Sequence, residues 1–156
     1  MHDYETFTVD TDNFPLDRMK NITDKYKYVP IVEPSIRSRQ GYAYEEGKKR
    51  NVYIQSAEGE DQQGKVWAGF TDFVDYFHPN ATQYWSDMLA HLHTQIDFAG
   101  AWLDMNEISN LCDGPCEPPK GETVIDYTHD IPYHPGGKNI EMVNIPLNAT
   151  HYGNIK

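Results

Sequence analysis

The run Phe98-Ala99-Gly100-Ala101-Trp102-Leu103 is apolar throughout and stops abruptly at Asp104-Met105-Asn106-Glu107. An apolar run of this length, closed by polar residues, reads as a fully buried strand of a parallel sheet. Side chains alternate along a strand, so Trp102 and Asp104 are expected on one face and Leu103 and Met105 on the other. A carboxylate where such a strand ends is where β/α barrels place catalytic groups. The other reading of Asp104 is an Asx turn that ends the strand.

The segment before this strand is the clearest helix in the chain. Ala81, Tyr84, Trp85, Met88, Leu89, Leu92 and Ile96 share one face at helical spacing, which predicts a helix from Asn80 to Ile96. Its aromatic residues are expected to pack on a sheet. Pro79 precedes it, and Asn80 with Gln83 has the form of a capping box. His91 and His93 are two apart, so they point to different sides of the helix and cannot share a metal by that spacing. A second helix is expected over Asn13–Tyr26, with Pro15 in its first turn and Leu16, Met19, Ile22 and Tyr26 on one face. Lys27 to Pro34 reads as a further strand, although Pro30 donates no ladder hydrogen bond. Glu33 ends that strand; it could line a pocket, but reads first as a structural acid held by the following loop. Ser35 to Phe77 lacks periodicity and reads as one long excursion. The clusters Arg37-Ser38-Arg39 and Lys48-Lys49-Arg50 read as solvated faces.

With 156 residues the chain can build one modest core. It cannot build a whole (β/α)8 barrel, which takes about 250 residues. Acidic residues outnumber basic ones 24 to 13, a net charge of −11. That balance argues against nucleic acid and anionic membrane as partners. No apolar stretch is long enough to span a bilayer. An EF-hand beginning at Asp104 is excluded, because Ser109 and Pro115 occupy its glycine and glutamate positions. Cys112 and Cys116 are the two cysteines. They could be free thiols, half of a metal site or a disulfide, and two are too few for zinc alone. Nothing in the sequence calls for a metal or an organic cofactor.

Trp102-Leu103-Asp104-Met105-Asn106-Glu107-Ile108-Ser109-Asn110 resembles the signature W-[IL]-D-M-N-E-x-S-N of glycoside hydrolase family 31, the retaining α-glucosidases. The likeness runs along the chain. Val29-Pro30-Ile31-Val32-Glu33-Pro34 is similar to the family's V-P-I-[VL]-[DE]-P. Gly64-Lys65-Val66-Trp67-Ala68-Gly69 is similar to G-K-V-W-P-G, with Ala68 in place of proline. The first residues are similar to a segment following Asp-Ile-Asp-Tyr-Met, so Met1 is expected to be an internal methionine. Asp75 matches an acid before a helix that is expected to be structural.

The resemblance implies an α/β fold, a partial (β/α)8 TIM barrel of about two strands with their helices and long βα excursions. Residues 1–111 would be part of the catalytic barrel, and 112–156 an insertion after the nucleophile strand. It implies Asp104 as nucleophile, Glu107 as a supporting residue, and Trp67, Trp102 and Met105 as walls of a sugar pocket. Asn106 and the backbone after the strand are expected to donate to Asp104. The partner acid/base would lie on a later strand, so the isolated chain is expected to be inactive and poorly folded. The rest of its barrel is expected outside this chain. The substrate would be an α-glucoside or oligosaccharide. Leu103 stands where the glycoprotein-trimming members carry Asn, which favours the maltase and lysosomal type. Relatives place a similar cysteine pair after their signature, which implies a Cys112–Cys116 disulfide. Many relatives are secreted or lysosomal, which gives meaning to the sequons at Asn21, Asn80 and Asn148. The competing expectation is an inactive fragment or a weak carbohydrate-binding remnant.

Overall fold

The computed structural model describes residues 5–106, 108, 110 and 149–154. The elements are α1 (Leu16–Thr23), β1 (Ile31–Val32), β2 (Ser35–Arg37), α2 (Tyr42–Arg50), β3 (Gln63–Val66), β4 (Gly69–Phe73), α3 (Ala81–Gln95) and β5 (Trp102–Leu103). A short 3-10 turn follows at Tyr152–Asn154.

β1 and β5 are parallel neighbours, with Ile31 opposite Trp102 and Val32 opposite Leu103. Backbone bonds carry the ladder beyond the named strands. Ala99 N–H donates to Tyr28 O (2.8 Å), Trp102 N–H to Pro30 O (2.8 Å) and Asp104 N–H to Val32 O (3.1 Å). Pro30 is tolerated here because this ladder uses its carbonyl, which proline retains. Helix α3 links the two strands, and its face Ala81, Tyr84, Met88, Leu92 packs with Ile96 around Val32. This strand–helix–strand passage is one unit of a β/α barrel. Its strands and helix lie within the segments 27–34, 98–103 and 80–96 read from the sequence, the strands shorter than expected.

Three expectations about these elements are corrected. Trp102 is 59% exposed and Leu103 57%, so β5 is not a fully buried strand. It pairs with β1 on one side, and no other described strand pairs with it. The face of α1 is likewise open. Leu16, Ile22 and Tyr26 are exposed, and of the predicted stripe only Met19 packs on the core. The capping box is absent as well. Asn80 has helical backbone angles (φ −87°, ψ −8°) and makes no cap bond to its own helix. Its Nδ2 instead donates to Arg50 O (3.1 Å), an unpaired carbonyl at the end of α2, while Gln83 donates to Asp87 (2.7 Å).

The excursion after β1 is a folded unit. β2, β4 and β3 form an antiparallel sheet in that order. Helix α2 is nine residues long, and its C-cap Asn51 is left-handed (φ 58°), donating to Gly47 O and Lys48 O. The predicted solvated basic cluster is paired. Lys48 meets Asp61, Lys49 meets Glu46, and Arg50 meets Asp87 at 2.6 Å. Arg37, expected in solvent, is buried against Glu5.

The sheet buries polar groups at a cost. Asp72 is 1% exposed, and burial pushes its carboxyl up to about 6, opposed by the Ser38 hydroxyl that donates to Oδ2 (2.8 Å). Its Oδ1 has no partner among the described residues.

A second core cluster of Ile54, Val66, Phe73 and Ala149 sits in the excursion, and Met105 and Ile108 pack against it. The segment after β5 is thereby held by the excursion as well as by β1.

Candidate active site

The C-terminal ends of β1 and β5 lie side by side and carry Glu33 and Asp104. Asp104 is half-buried, anchored through its N–H to Val32 O. Its Oδ1 accepts the backbone N–H of Met105 at 3.1 Å. That bond accompanies a left-handed backbone at Met105 (φ 55°), a conformation that costs a non-glycine residue about 1–3 kcal/mol. The surrounding contacts hold it. The Met105 side chain packs on the excursion's core, and its Sδ accepts Trp67 Nε1–H at 3.0 Å.

Trp67 reaches this point from the tip of the β3–β4 hairpin. The strands are in register from Gln63↔Asp72 to Val66↔Gly69, leaving a two-residue turn, Trp67-Ala68. Gly69 takes φ 87° at the close of that turn. Ala68 is buried, whereas Trp67 stays 47% exposed. The hairpin is tied to the signature segment a second time by Asn110, whose Oδ1 accepts Lys65 N–H (2.9 Å). The structure therefore brings Trp67, Met105 and Asp104 into one cluster. Trp102 lies two residues before Asp104 and is largely open.

Asn106 does not serve Asp104 as expected. Its Nδ2 donates to Tyr76 Oη (2.9 Å), and its Oδ1 has no partner among the described residues. Tyr76 packs edge-on against Trp85 of α3, and burial pushes its hydroxyl above the ordinary tyrosine range. Sequence reasoning missed Tyr76, because nothing in Asp75-Tyr76-Phe77 sets it apart.

Glu33 is 2% exposed. Ser35 Oγ donates to its Oε2 (3.1 Å), and its own N–H donates to Thr6 Oγ1 (3.1 Å). Burial pushes its carboxyl up to about 7; the Ser35 hydroxyl opposes the shift, and the charge of Asp104 adds to it.

Asp75 is buried as a clamp. It accepts Phe77 N–H (3.0 Å) and Tyr152 N–H (2.6 Å), and it meets His151 Nδ1 at 2.8 Å. Beside it lies a polar cavity of about 320 Å³ lined by residues including Asn51, Gln55, Thr150 and Tyr152. It shares no residue with the Asp104 cluster.

Glu107, Cys112, Cys116 and Asn148 lie outside the described residues. The sequon residues Asn21 and Asn80 are exposed. No helix among the described residues is long and apolar enough to cross a membrane.

The chain was compared with known proteins. A family model described as "Glycosyl hydrolases family 31 TIM-barrel domain" matches residues 1–151. A probable alpha/beta-glucosidase of Arthroderma benhamiae is 34% identical over 84% of the chain and 16% of its own length. An alpha-glucosidase of Mucor javanicus is 39% identical over 74% of the chain and 14% of its own. A probable alpha-glucosidase of Oryza sativa subsp. japonica is 32% identical over 99% of the chain and 18% of its own. The chain thus spans less than a fifth of these relatives. Among solved structures, a Tris-bound glucosidase II alpha subunit superposes with a TM-score of 0.71 at 22% identity, covering 100% of this chain and 15% of that one. A sulfoquinovosidase from E. rectale superposes with a TM-score of 0.52 at 20% identity, covering 64% and 15%. Those two likenesses bear on the fold, a part of a TIM barrel. With the family match spanning nearly every residue and relatives a third identical along most of it, this chain belongs to glycosyl hydrolase family 31.

Proposed function

We propose that the protein carrying this chain hydrolyses terminal α-glucosidic bonds by a retaining double displacement, with Asp104 as nucleophile. The observation that carries this reading is the placement of Asp104 at the C-terminal end of a parallel strand. There Oδ1 is held by Met105 N–H, beside the Trp67–Met105 pair. An Asp104 oxygen attacks the anomeric carbon as the C1–O bond breaks, and the leaving oxygen takes a proton from a second carboxyl group. Water then attacks C1, gives its proton to that same group, and frees Asp104.

The second carboxyl is to be supplied by a later strand of the barrel, outside this chain. Exposed Trp102 and Leu103 support this, as does a span of under a fifth of the relatives' lengths. The rest of the barrel is accordingly the partner this surface requires, and the isolated chain is inactive.

Trp67, Trp102 and Met105 form the apolar side of the sugar pocket. Glu107 supports the site, residues 112–156 are an insertion of the same domain, and Cys112–Cys116 is a disulfide. Substrates are α-glucosides or oligosaccharides. Glucosidase II alpha subunits have been solved bound to DNJ and to Glc1Man2, and the curated relatives are named alpha- or alpha/beta-glucosidases. Leu103 favours the maltase type over the trimming type. The setting is the secretory pathway, lysosomal or extracellular, in keeping with the exposed sequons at Asn21 and Asn80.

The test is mechanism-based labelling of the full-length protein with 5-fluoro-α-D-glucosyl fluoride, followed by peptide mapping. The label is expected on Asp104, and Asp104→Asn is expected to lower kcat by about 10⁴-fold or more. A label on another carboxylate overturns the assignment.

A further inference from the structure

Glu33 has no role in the chemistry above, yet it is the most constrained carboxyl near the nucleophile. The ladder pairs Val32 with Leu103, so the next step along both strands sets Glu33 level with Asp104. Neighbouring strands stand about 4.8 Å apart, and residues level with each other project to the same side. The Glu33 side chain cannot turn to water. It is 2% exposed, its main chain is fixed by Thr6 and its carboxyl by Ser35. The charged groups on the elements around it are Asp104 after β5 and the Glu5–Arg37 pair, contributed by the N-terminal segment and β2. Of these, Asp104 is the one whose charge acts on it. Asp104 in turn is held at Oδ1 by one described backbone N–H, on a strained residue.

We propose that Glu33 is a positioning residue of this centre: an uncharged wall at the end of β1 that aligns the Asp104 carboxylate, and that, once charged, drives it off the Met105 N–H. The inference rests on Asp104 being the nucleophile. When Glu33 is protonated, the site holds one negative charge and Asp104 keeps its bond. When Glu33 loses its proton, a second negative charge stands level with Asp104 on the neighbouring strand. Glu33 is fixed by burial and by Ser35, so Asp104 is the member that yields and its alignment is lost. Burial of Glu33 places this change near neutral pH, where its carboxyl titrates at about 7. A purely structural acid, holding the Ser35 turn, would leave the nucleophile indifferent to this ionisation.

The experiment follows the rate of Asp104 labelling by 5-fluoro-α-D-glucosyl fluoride from pH 5 to 9 in the full-length protein. Fluoride leaves with little help from a general acid, so the profile reports on the nucleophile side. In the wild type the rate is expected to fall about tenfold per pH unit above neutrality. In Glu33→Gln the rate at pH 5.5 is expected to drop by up to about tenfold, with no alkaline fall. Glu33→Asp is expected to restore a fall. Ser35→Ala removes the hydroxyl that favours the charged form, so its fall should move to higher pH; this variant serves if Glu33→Gln does not fold. An alkaline fall that persists in Glu33→Gln, or does not move in Ser35→Ala, overturns the proposal. A label on a residue other than Asp104 overturns the nucleophile assignment instead.

Discussion

Gly64 is where the hairpin bearing Trp67 meets the segment bearing Asp104, and its replacement by alanine tests that junction. A Cβ at this position would stand 2.5 Å from Phe73 Cζ and 3.0 Å from Asn110 Oδ1. Phe73 is 1% exposed and enclosed by Ile54, Val66 and Ala149, so its ring has no free space to enter. Overpacking of this kind costs about 1–3 kcal/mol. Asn110 must yield as well, and its bond to Lys65 N–H is then lost, at about 1 kcal/mol. Gly64→Ala should therefore destabilise by about 2–4 kcal/mol. It should also lower kcat/KM, because Met105 packs on the same cluster. Urea denaturation and steady-state kinetics on the full-length protein read both effects. Phe73→Leu shortens the obstructing ring. The double variant should recover at least about 1 kcal/mol of the summed losses. Gly100→Ala is the control, since its Cβ would meet only Val29 Cγ2, at 3.9 Å. A loss below about 0.5 kcal/mol in Gly64→Ala, or additivity with Phe73→Leu, would refute the reasoning.

Three further outcomes are expected. Asp72 binds its proton more tightly folded than unfolded, so its contribution is present in full below about pH 4 and is lost as pH rises through about 6. Asp72→Asn should thus be more stable than wild type by at most about 3 kcal/mol at pH 8, with no advantage at pH 4, in urea midpoints measured at both. Material secreted from eukaryotic cells should lose mass on enzymatic deglycosylation at Asn21, and Cys112 and Cys116 should resist alkylation until reduced; a free thiol at either cysteine counts against the disulfide.

What the sequence disclosed and what it withheld divide along physical lines. α3 was readable because its apolar residues repeat with the period of a helix, β5 because an apolar run stops at two acids, β1 because its segment resembles a family strand, and the signature marks Asp104. The excursion was not. In α2 the apolar residues Tyr42, Ala43 and Tyr44 are bunched in the first turn, so no helical period shows. β3 reads Gln-Gly-Lys-Val, where a buried glycine hides the alternation, and β4 buries Thr71 and Asp72 alongside its two phenylalanines, so it does not alternate. The exposure of β5 could not be read from its composition, since an apolar strand looks the same whether or not its neighbours are present. Trp67 and Met105 were each expected at the pocket. That they touch, and that Glu33 stands level with Asp104, are facts of register between distant segments, which no local pattern encodes. Asn80 misled because its residue type suits a cap, while its helical backbone turns the side chain to a different helix.

The anchoring of Asn110 and Thr150 has an evolutionary consequence. Asn110 is bonded to Lys65, Thr150 exchanges backbone bonds with Gln55, and Tyr152 is clamped by Asp75. The chain that departs after Asn110 and the chain that returns at Ala149 are therefore both moored to the excursion. Between two fixed moorings, each doubling of the intervening length costs only about 0.6 kcal/mol of closure entropy. Lineages are then free to lengthen, shorten or recompose residues 111–148 without moving Asp104. The same double mooring that steadies Asp104 makes this stretch the place where descendants can diverge in length and composition.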